Sequence, residues 1–325
     1  MRMNRIALER HQVWVYLLSI AVGLSVGSAW PATQPALQAL LWPSLVALLF
    51  ATFLQVPLLH VRDALRDRRF ALAVLVGNFV VLPLLVWALV QVLHMAGADP
   101  AVRLGVLLVL LVPCTDWFIT FSQLGRGDVP RALAVTPLNL VLQLLLLPAY
   151  LWAMGDASTL VSVNLATLAP ALLVVVLPLA GAALAQRSIQ NYPRADSLRD
   201  ALAWAPVPLL AVVVFLIAGA QVNAVWQGLQ VLPLVVPVFV VFLVAAALLA
   251  KALACALALP TTQGRTLAFS LGTRNSFVVL PFALALPAGW EAAAVVVVVQ
   301  SLVELVGMVV LLWWVQQRLF AQTGD

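Results

Sequence analysis

Residues 107–128 read LLVLLVPCTDWFITFSQLGRGD, an apolar run that could enter a bilayer but is interrupted at Pro113. A thiol, a hydroxyl and a carboxylate follow at once, on Cys114, Thr115 and Asp116. A carboxylate at membrane depth is costly unless it has a partner or faces a cavity, so Asp116 is a candidate functional residue. The alternatives are that Asp116 caps the next half-helix and that Cys114 is a small core residue.

A second apolar segment, FSLGTRNSFVVLPFALALP at residues 269–287, is interrupted at its centre by Arg274, Asn275 and Ser276. Two hydrophobic segments interrupted at corresponding places in two halves of a chain indicate the binding site of a secondary transporter. An unpaired guanidinium in hydrocarbon costs about 2.5–3.5 kcal/mol. We therefore predict a buried pair between Asp116 and Arg274; the alternative places Arg274 in a vestibule without a partner.

The composition is that of a polytopic membrane protein. The 325 residues are 64% hydrophobic and 9% charged, with a mean hydropathy of +1.10, which excludes an ordinary soluble domain. Three histidines and two cysteines give no metal-ligand spacing, so we predict no metal and no cofactor. We expect no enzymatic activity either, because no H-E-x-x-H or G-x-S-x-G motif is present.

Ten transmembrane helices are predicted when each is required to hold about 20 apolar residues. Together they define an all-α polytopic membrane protein. The predicted spans lie near residues 12–30, 36–59, 70–95, 101–124, 129–153, 160–185, 201–221, 230–256, 264–287 and 291–317.

The basic residues predict the orientation of these spans. Of the 17 lysines and arginines, all but Arg103 and Arg274 fall on one side of the ten-span arrangement. The positive-inside rule then places both termini in the cytoplasm and the protein in the cell (inner or plasma) membrane. A net charge of +5 could suggest nucleic acid, but the basic residues are distributed as in the loops of a membrane protein, so we expect a lipid bilayer and a small solute as partners and no nucleic acid.

The hydrophilic connection QRSIQNYPRADSLRD, residues 186–200, divides the spans five and five. An odd number in each half requires the second half to insert upside down, so we predict an inverted repeat with spans 4 and 9 broken. Residues 1–185 hold the first repeat and also span 6, the start of the second repeat, from about residue 160. Residues 186–325 hold the remainder of the second repeat, spans 7–10.

Other polar residues fall at membrane depth. Asn78 and Asn139 lie in spans that flank the first break, and both are candidate solute contacts. Glu304 in the last span is a second costly carboxylate and, with Asp116, a candidate proton carrier. Thr136, Gln143, Gln300 and Ser301 are also at this depth. The alternative for the amides is hydrogen bonding between helices with no solute involved.

Several motifs carry a resemblance to a known family. They are the Pro113-Cys114-Thr115 turn, the half-helix that ends in LGRGD, the span AVTPLNLVLQLLLLPAY and the late segment LGTRNSFVVLP. With the ten-span plan they cover nearly the whole chain. The chain resembles the bile acid/sodium symporter superfamily and, within it, the arsenical-resistance (arsenite efflux) permease branch, an assignment that depends mainly on Pro113 and Cys114.

The resemblance implies two crossed broken helices in a core domain and alternating access of that domain against a separate panel. Spans 3–5 and 8–10 would form the core, and spans 1, 2, 6 and 7 the panel. It also implies that Cys114 binds the metalloid. Trivalent arsenic is thiophilic, and neutral As(OH)3 can be held by one soft ligand together with hydrogen bonds.

The second break departs from the family pattern. Arsenite permeases resemble one another in an acidic residue near the position of Val278, and sodium-coupled members place a Glu and a Gln near Ser270 and Arg274. A guanidinium in place of those groups argues against a sodium site there. We therefore favour coupling to protons, through Asp116 or Glu304, over coupling to sodium.

The function that this pattern predicts is secondary active export of arsenite, As(III) or Sb(III), as an antiporter. The runner-up is an organic-anion transporter of the same superfamily in which Arg274 binds the anion. A third reading is a receptor built on the same scaffold, which the absence of an evident soluble output domain disfavours. The candidate solute-binding residues are Cys114, Thr115, Asp116, Arg274, Asn275, Ser276, Asn78 and Asn139.

Overall fold

The computed structural model describes residues 5–56, 67–115, 117–156, 165–190 and 204–321. Most of these residues are helical, with no β-strand among them. The helices are α1 (Arg5–Ala29), α2 (Gln34–Phe53), α3 (Arg68–Val76), α4 (Leu82–Met95), α5 (Pro100–Leu110), α6 (Trp117–Leu124), α7 (Val129–Met154), α8 (Leu165–Gln190), α9 (Pro206–Ala220), α10 (Val222–Ala256), α11 (Thr261–Gly272), α12 (Ser276–Leu284) and α13 (Ala292–Trp314). A π-helical turn, Gly77–Val81, joins α3 to α4 in one continuous span, and a second, Val315–Leu319, follows α13.

Six helical segments of the described chain are long and apolar enough to cross a membrane. They are Pro31–Phe53, Arg68–Met95, Val129–Met154, Ala171–Ser188, Gln230–Ala256 and Ala292–Leu319, and shorter apolar helices cover Trp14–Ala29, Pro100–Leu110 and Pro206–Ala220. The prediction of an all-helical, multi-pass membrane protein is confirmed. The count of ten spans and the inverted repeat stay predictions.

Short polar side chains mark where several helices begin. The Asp67 carboxylate accepts a hydrogen bond from the Phe70 N–H at the start of α3, and Asp99 accepts one from the Ala101 N–H at the start of α5. Asp128 caps α7 in the same way. Each cap satisfies a backbone donor that the helix leaves without an internal acceptor, and the aspartates therefore set where these spans start.

The helices pack in two groups. In one group, α1 packs on α9, α9 on α2, and α2 on α8. In the other, α10 packs on α11 and α13, α13 on α5, and α11 on α6. Contacts of α12 with α8 and α2 join the two groups. The division into a panel and a core, and the movement of one against the other, stay predictions.

Glycines allow α1 to approach α9 closely. A Cβ at Gly23 would collide with the Phe215 carbonyl, and a Cβ at Gly27 would collide with the Gly219 carbonyl. Gly23 and Gly27 are four residues apart and therefore lie on one face of α1. Small residues at this spacing let two helix backbones pack closely in a membrane, where the hydrophobic effect contributes little to their association.

Polar contacts tie together the helix starts at one end of the second group. The Arg131 Nε donates to Asp67 at 2.6 Å, and the Gln263 side chain donates to the same carboxylate oxygen at 2.9 Å. Arg131 also forms an ion pair with Asp128. Burial alone would raise the pKa of Asp67, but hydrogen bonds from Phe70, Arg131 and Gln263 hold it below its ordinary value. The starts of α3, α7 and α11 are thereby linked through one carboxylate.

Arg103 has partners at the opposite end. Its guanidinium forms an ion pair with Asp156, at 2.6 Å, and contacts the Nδ1 of His94. These contacts link the first turn of α5 to the end of α4 and to the residues that follow α7. They account for a largely buried arginine on the side of the molecule where the sequence places few basic residues.

The α1–α9 contact predicts a different cost for two glycine-to-alanine substitutions. Gly27→Ala is expected to destabilise the protein by about 1–3 kcal/mol, because the new Cβ forces the two backbones apart. Gly181→Ala in α8 is the control, since its Cβ would meet the Phe50 ring at an ordinary 3.5 Å and alanine favours a helix. Thermal unfolding in detergent measures both, and equal unfolding temperatures for the two variants would contradict this account of the contact.

Candidate functional site

The two interrupted segments cross and satisfy each other's backbone groups. Pro113 and Arg274 form an antiparallel bridge between the breaks. The Cys114 N–H donates to the Thr273 carbonyl at 3.1 Å, and the Asn275 N–H donates to the Val112 carbonyl at 2.8 Å. Irregular backbone at membrane depth is tolerated only when protein or cavity water satisfies it. Each break therefore supplies the other with the partners that it needs.

Side chains continue the contact between the breaks. The Asn275 Nδ2 donates to the Thr115 hydroxyl at 3.2 Å, while the Asn275 Oδ1 accepts from the Val278 N–H at the start of α12. One side chain thus caps the second half-helix and orients Thr115. Cys114, next to Thr115, is 3% exposed.

Asp116 lies outside the described residues, so its predicted pairing with Arg274 stays a prediction. The structure places another carboxylate beside Arg274. The Arg274 N–H donates to the Glu304 Oε2 at 2.8 Å, and the guanidinium is attracted electrostatically to the same carboxylate. Glu304, predicted as a second costly carboxylate in the last span, therefore lies beside the second break.

The Arg274 guanidinium is 2% exposed and is enclosed by oxygen acceptors. Its Nη2 donates to the Asn78 Oδ1 at 2.8 Å and to the carbonyls of Ser270 and Leu271 at 3.1 and 2.9 Å. Its Nη1 donates to the Leu110 carbonyl at 3.3 Å. The carbonyls lie in the last turns of α11 and α5, where a helix carries partial negative charge. The guanidinium is therefore a fixed cation at two half-helix ends.

A π-helical turn presents Asn78 to this site. Asn78 lies within Gly77–Val81, where α3 passes into α4. Its Oδ1 accepts from Arg274, and its Nδ2 donates to the Ser270 hydroxyl at 3.1 Å. Single π-helical turns inside α-helices occur frequently at functional sites.

An aromatic ring also contacts the Arg274 guanidinium. The ring centre of Phe242 lies 5.4 Å from the guanidinium carbon and adds a cation–π contact.

A chain of hydrogen bonds extends from Ser276 to Glu304. The Ser276 hydroxyl donates to the Gln300 Oε1 at 2.9 Å, and the Gln300 Nε2 donates to the Glu304 Oε2 at 2.7 Å. Gln300 and Glu304 are one turn apart on α13, so both reach the second break. The sequence placed Gln300 at membrane depth, but its role here depends on how α13 packs.

The crossing of two broken apolar segments is the geometry of a membrane transporter, and a sequence comparison agrees with it. Residues 42–228, more than half of the chain, match a family model described as the Sodium Bile acid symporter family. The chain belongs to this family. Its members are membrane transporters, and the protein is therefore a multi-pass membrane protein of a transporter family. A search of the curated proteins gave no match.

The site of this symporter-family protein holds most of the residues that the sequence singled out. Hydrogen bonds or backbone contacts at the crossing connect Asn78, Cys114, Thr115, Arg274, Asn275, Ser276 and Glu304. Among the described residues, no group of three His, Cys, Asp or Glu side chains could hold a metal ion. The available soft ligand is the Cys114 thiol.

Asn139 lies apart from this hydrogen-bonded set. It is 0% exposed on α7, and neither its Oδ1 nor its Nδ2 has a hydrogen-bond partner in the described chain. Gln143, one turn further along α7, likewise has no hydrogen-bond partner in the described chain for its Nε2 or its Oε1. The set of site residues predicted from the sequence omitted Gln143. Its spacing of four residues from Asn139 was the signal that places both amides on one helix face.

The enclosure of Arg274 predicts a large loss of stability when the guanidinium is removed. Arg274→Met leaves Glu304 without its neighbouring cation and four acceptors without their donor, which we expect to cost roughly 3–5 kcal/mol. Arg318→Met, at an exposed position after α13, is the control and is expected to be neutral. Chemical or thermal unfolding in detergent tests this, and similar unfolding midpoints for the two variants would show that the guanidinium is not structural.

Proposed function

We propose that the protein is a secondary active transporter that exports trivalent arsenic and antimony, with Cys114 as the metalloid ligand. The observation that carries the proposal is the buried thiol at the crossing of the two broken helices. Cys114 lies where the half-helix ends meet, beside the Thr115 hydroxyl that Asn275 orients. A transporter of this architecture binds its solute at such a midplane crossing.

The chemistry of the crossing suits a small neutral metalloid hydroxide. As(OH)3 needs one soft donor and several hydrogen-bonding groups, and Cys114 and Thr115 are adjacent in the chain. The backbone at the crossing is held on both sides, by Thr273 and Val112. A ligand set that is fixed before the solute arrives loses less conformational entropy on binding.

The runner-up, transport of an organic anion by Arg274, has less support from the geometry. The guanidinium already donates to Asn78 and to backbone carbonyls, and Glu304 lies beside it. An anion would have to displace these acceptors and also approach a carboxylate. The guanidinium functions better as part of the scaffold than as the contact for a transported anion.

In this proposal, the solute site lies in one rigid group of helices and the other group moves against it. The crossing belongs to the group α3–α7 and α10–α13, and α12 also packs against α8 and α2 of the other group. Rocking of α1, α2, α8 and α9 against the group that contains the crossing would expose the crossing to each side of the membrane in turn. This assignment uses the predicted ten-span inverted repeat in the cell membrane with cytoplasmic termini.

An efflux assay tests the metalloid assignment. In an efflux-deficient bacterium, expression of the wild type is expected to lower arsenite accumulation. Cys114→Ala is expected to reduce efflux at least about tenfold, equivalent to about 1.4 kcal/mol, because it removes the soft ligand. Cys255→Ala, at an exposed position of α10, is the matched control. Accumulation equal to the empty vector in the wild type would reject arsenite export, and full activity of Cys114→Ala would reject the thiol as ligand.

Coupling is tested in everted membrane vesicles. We expect arsenite uptake to be unchanged when potassium replaces sodium and to fall when the pH gradient is collapsed. Glu304→Gln is expected to abolish accumulation against a gradient, because an amide cannot carry the proton. Glu291→Gln, at an exposed position before α13, is the control. A requirement for sodium in the wild type would contradict proton coupling.

A further inference from the structure

Two amide side chains of α7 are buried with none of their polar atoms hydrogen bonded. The Nδ2 and Oδ1 of Asn139 and the Nε2 and Oε1 of Gln143 have no partner in the described part of the chain. Asn139 is 0% exposed and Gln143 is 1% exposed. Buried polar atoms in proteins are almost always hydrogen bonded, and those that are not call for a specific explanation. Four such atoms on one helix face indicate a polar ligand.

Other buried amides of the protein show that the fold satisfies amides that hold helices together. Gln186 donates to the carbonyls of Phe53, Leu54 and Val56 at the end of α2. Asn78, Asn275 and Gln300 likewise have hydrogen-bond partners on other elements. Asn139 and Gln143 differ from this group, so hydrogen bonding between helices does not account for them.

The two amides lie at the depth of the first break. Gln143 is eleven residues from Met154 at the end of α7, and α5 is eleven residues long from Pro100 to its end at the break. Both lengths correspond to about 17 Å along a helix. Because α7 packs against both α5 and α6, the helices on either side of the first break, and both amides are buried, they lie within the packed helices rather than at a membrane surface.

We infer that Asn139 and Gln143 hydrogen-bond the transported solute beside the first break, and that this solute is small, uncharged and rich in hydroxyl groups. The inference rests on the proposed function and names two further contacts for its substrate. A side-chain amide offers both N–H donors and a carbonyl acceptor. A hydroxyl group is donor and acceptor at once, so each hydroxyl of a neutral trihydroxide can match one amide.

The two amides carry no formal charge. They therefore supply no counter-charge to offset the cost of burying an ion, which favours an uncharged ligand. Thr136 lies on the same face, but its hydroxyl donates to the Ala132 carbonyl at 2.8 Å. The face therefore supplies balanced donors and acceptors without a formal charge, and in the proposed site Cys114 supplies the soft ligand.

Thermal unfolding with and without sodium arsenite tests the inference in purified protein. The Cys255→Ala background removes the second of the two cysteines, so that Cys114 is the remaining thiol. Asn139→Leu and Gln143→Met replace each amide by an apolar side chain of similar size. Gln186→Met is the matched control, because that amide holds α2 and α8 together.

Replacing the α7 amides and replacing the Gln186 amide are expected to have different effects on the unfolding temperature and on the response to arsenite. Without arsenite, Asn139→Leu and Gln143→Met should unfold at or above the background temperature, whereas Gln186→Met should unfold roughly 2–4 °C below it. Removing a polar group that has no partner relieves a desolvation cost, whereas Gln186→Met removes a hydrogen-bond donor from three carbonyls. With arsenite, the stabilising shift should need about tenfold more ligand in the two α7 variants and be unchanged in Gln186→Met.

Three results would overturn the inference. If both α7 variants unfold at a lower temperature than the background, as Gln186→Met is expected to, the two amides stabilise the fold and are not reserved for a solute. An unchanged arsenite response in both α7 variants would remove them from the solute site while leaving the proposed function intact. No arsenite response in the background protein itself would reject arsenite as the solute, and with it the solute class inferred for these amides.

Discussion

Backbone amides and carbonyls cannot be left unpaired in hydrocarbon, and this constraint governs the centre of the protein. Two helices are broken at the same depth, and each break hydrogen-bonds the other through Cys114, Thr273, Asn275 and Val112. Arg274 then donates to carbonyls at the ends of both half-helices. Neither break is tolerable without the other, so the fold and the proposed solute site depend on the same few contacts.

The polar residues at the crossing fall into two kinds. Arg274, Asn78 and Gln300 donate to or accept from other parts of the protein and hold the half-helices in place. The amides of Asn139 and Gln143 have no such partners in the described chain, and their hydrogen-bonding capacity remains for a ligand. A site divided in this way can stay rigid through a transport cycle, because the two amide side chains proposed to bind solute are not those that hold the half-helices in place.

The breaks themselves could be predicted from the sequence, because Pro113 and the polar run around Arg274 interrupt apolar segments. The contact of Glu304 with the second break could not, since the packing of α13 decides that its carboxylate accepts from the Arg274 backbone N–H. Whether a buried amide is hydrogen bonded also cannot be predicted from a sequence. Asn78 and Asn139 both appeared as polar residues in apolar spans, and only tertiary contacts distinguish the bonded one from the other.

The family match ends at residue 228, before the second break, and the second break is where this chain departs most from a sodium-coupled pattern. Arg274 places a positive charge at the ends of α5 and α11, where helix carbonyls would stabilise a cation. A guanidinium attached to the chain provides that charge permanently, but it cannot dissociate on one side of the membrane and rebind on the other. A cation that moves with the solute therefore cannot use this position. The proposed coupling to protons needs a group that changes its charge during the cycle. Glu304 accepts a hydrogen bond from the Arg274 backbone N–H and can change its charge by gaining a proton, so it is the candidate carrier in that proposal.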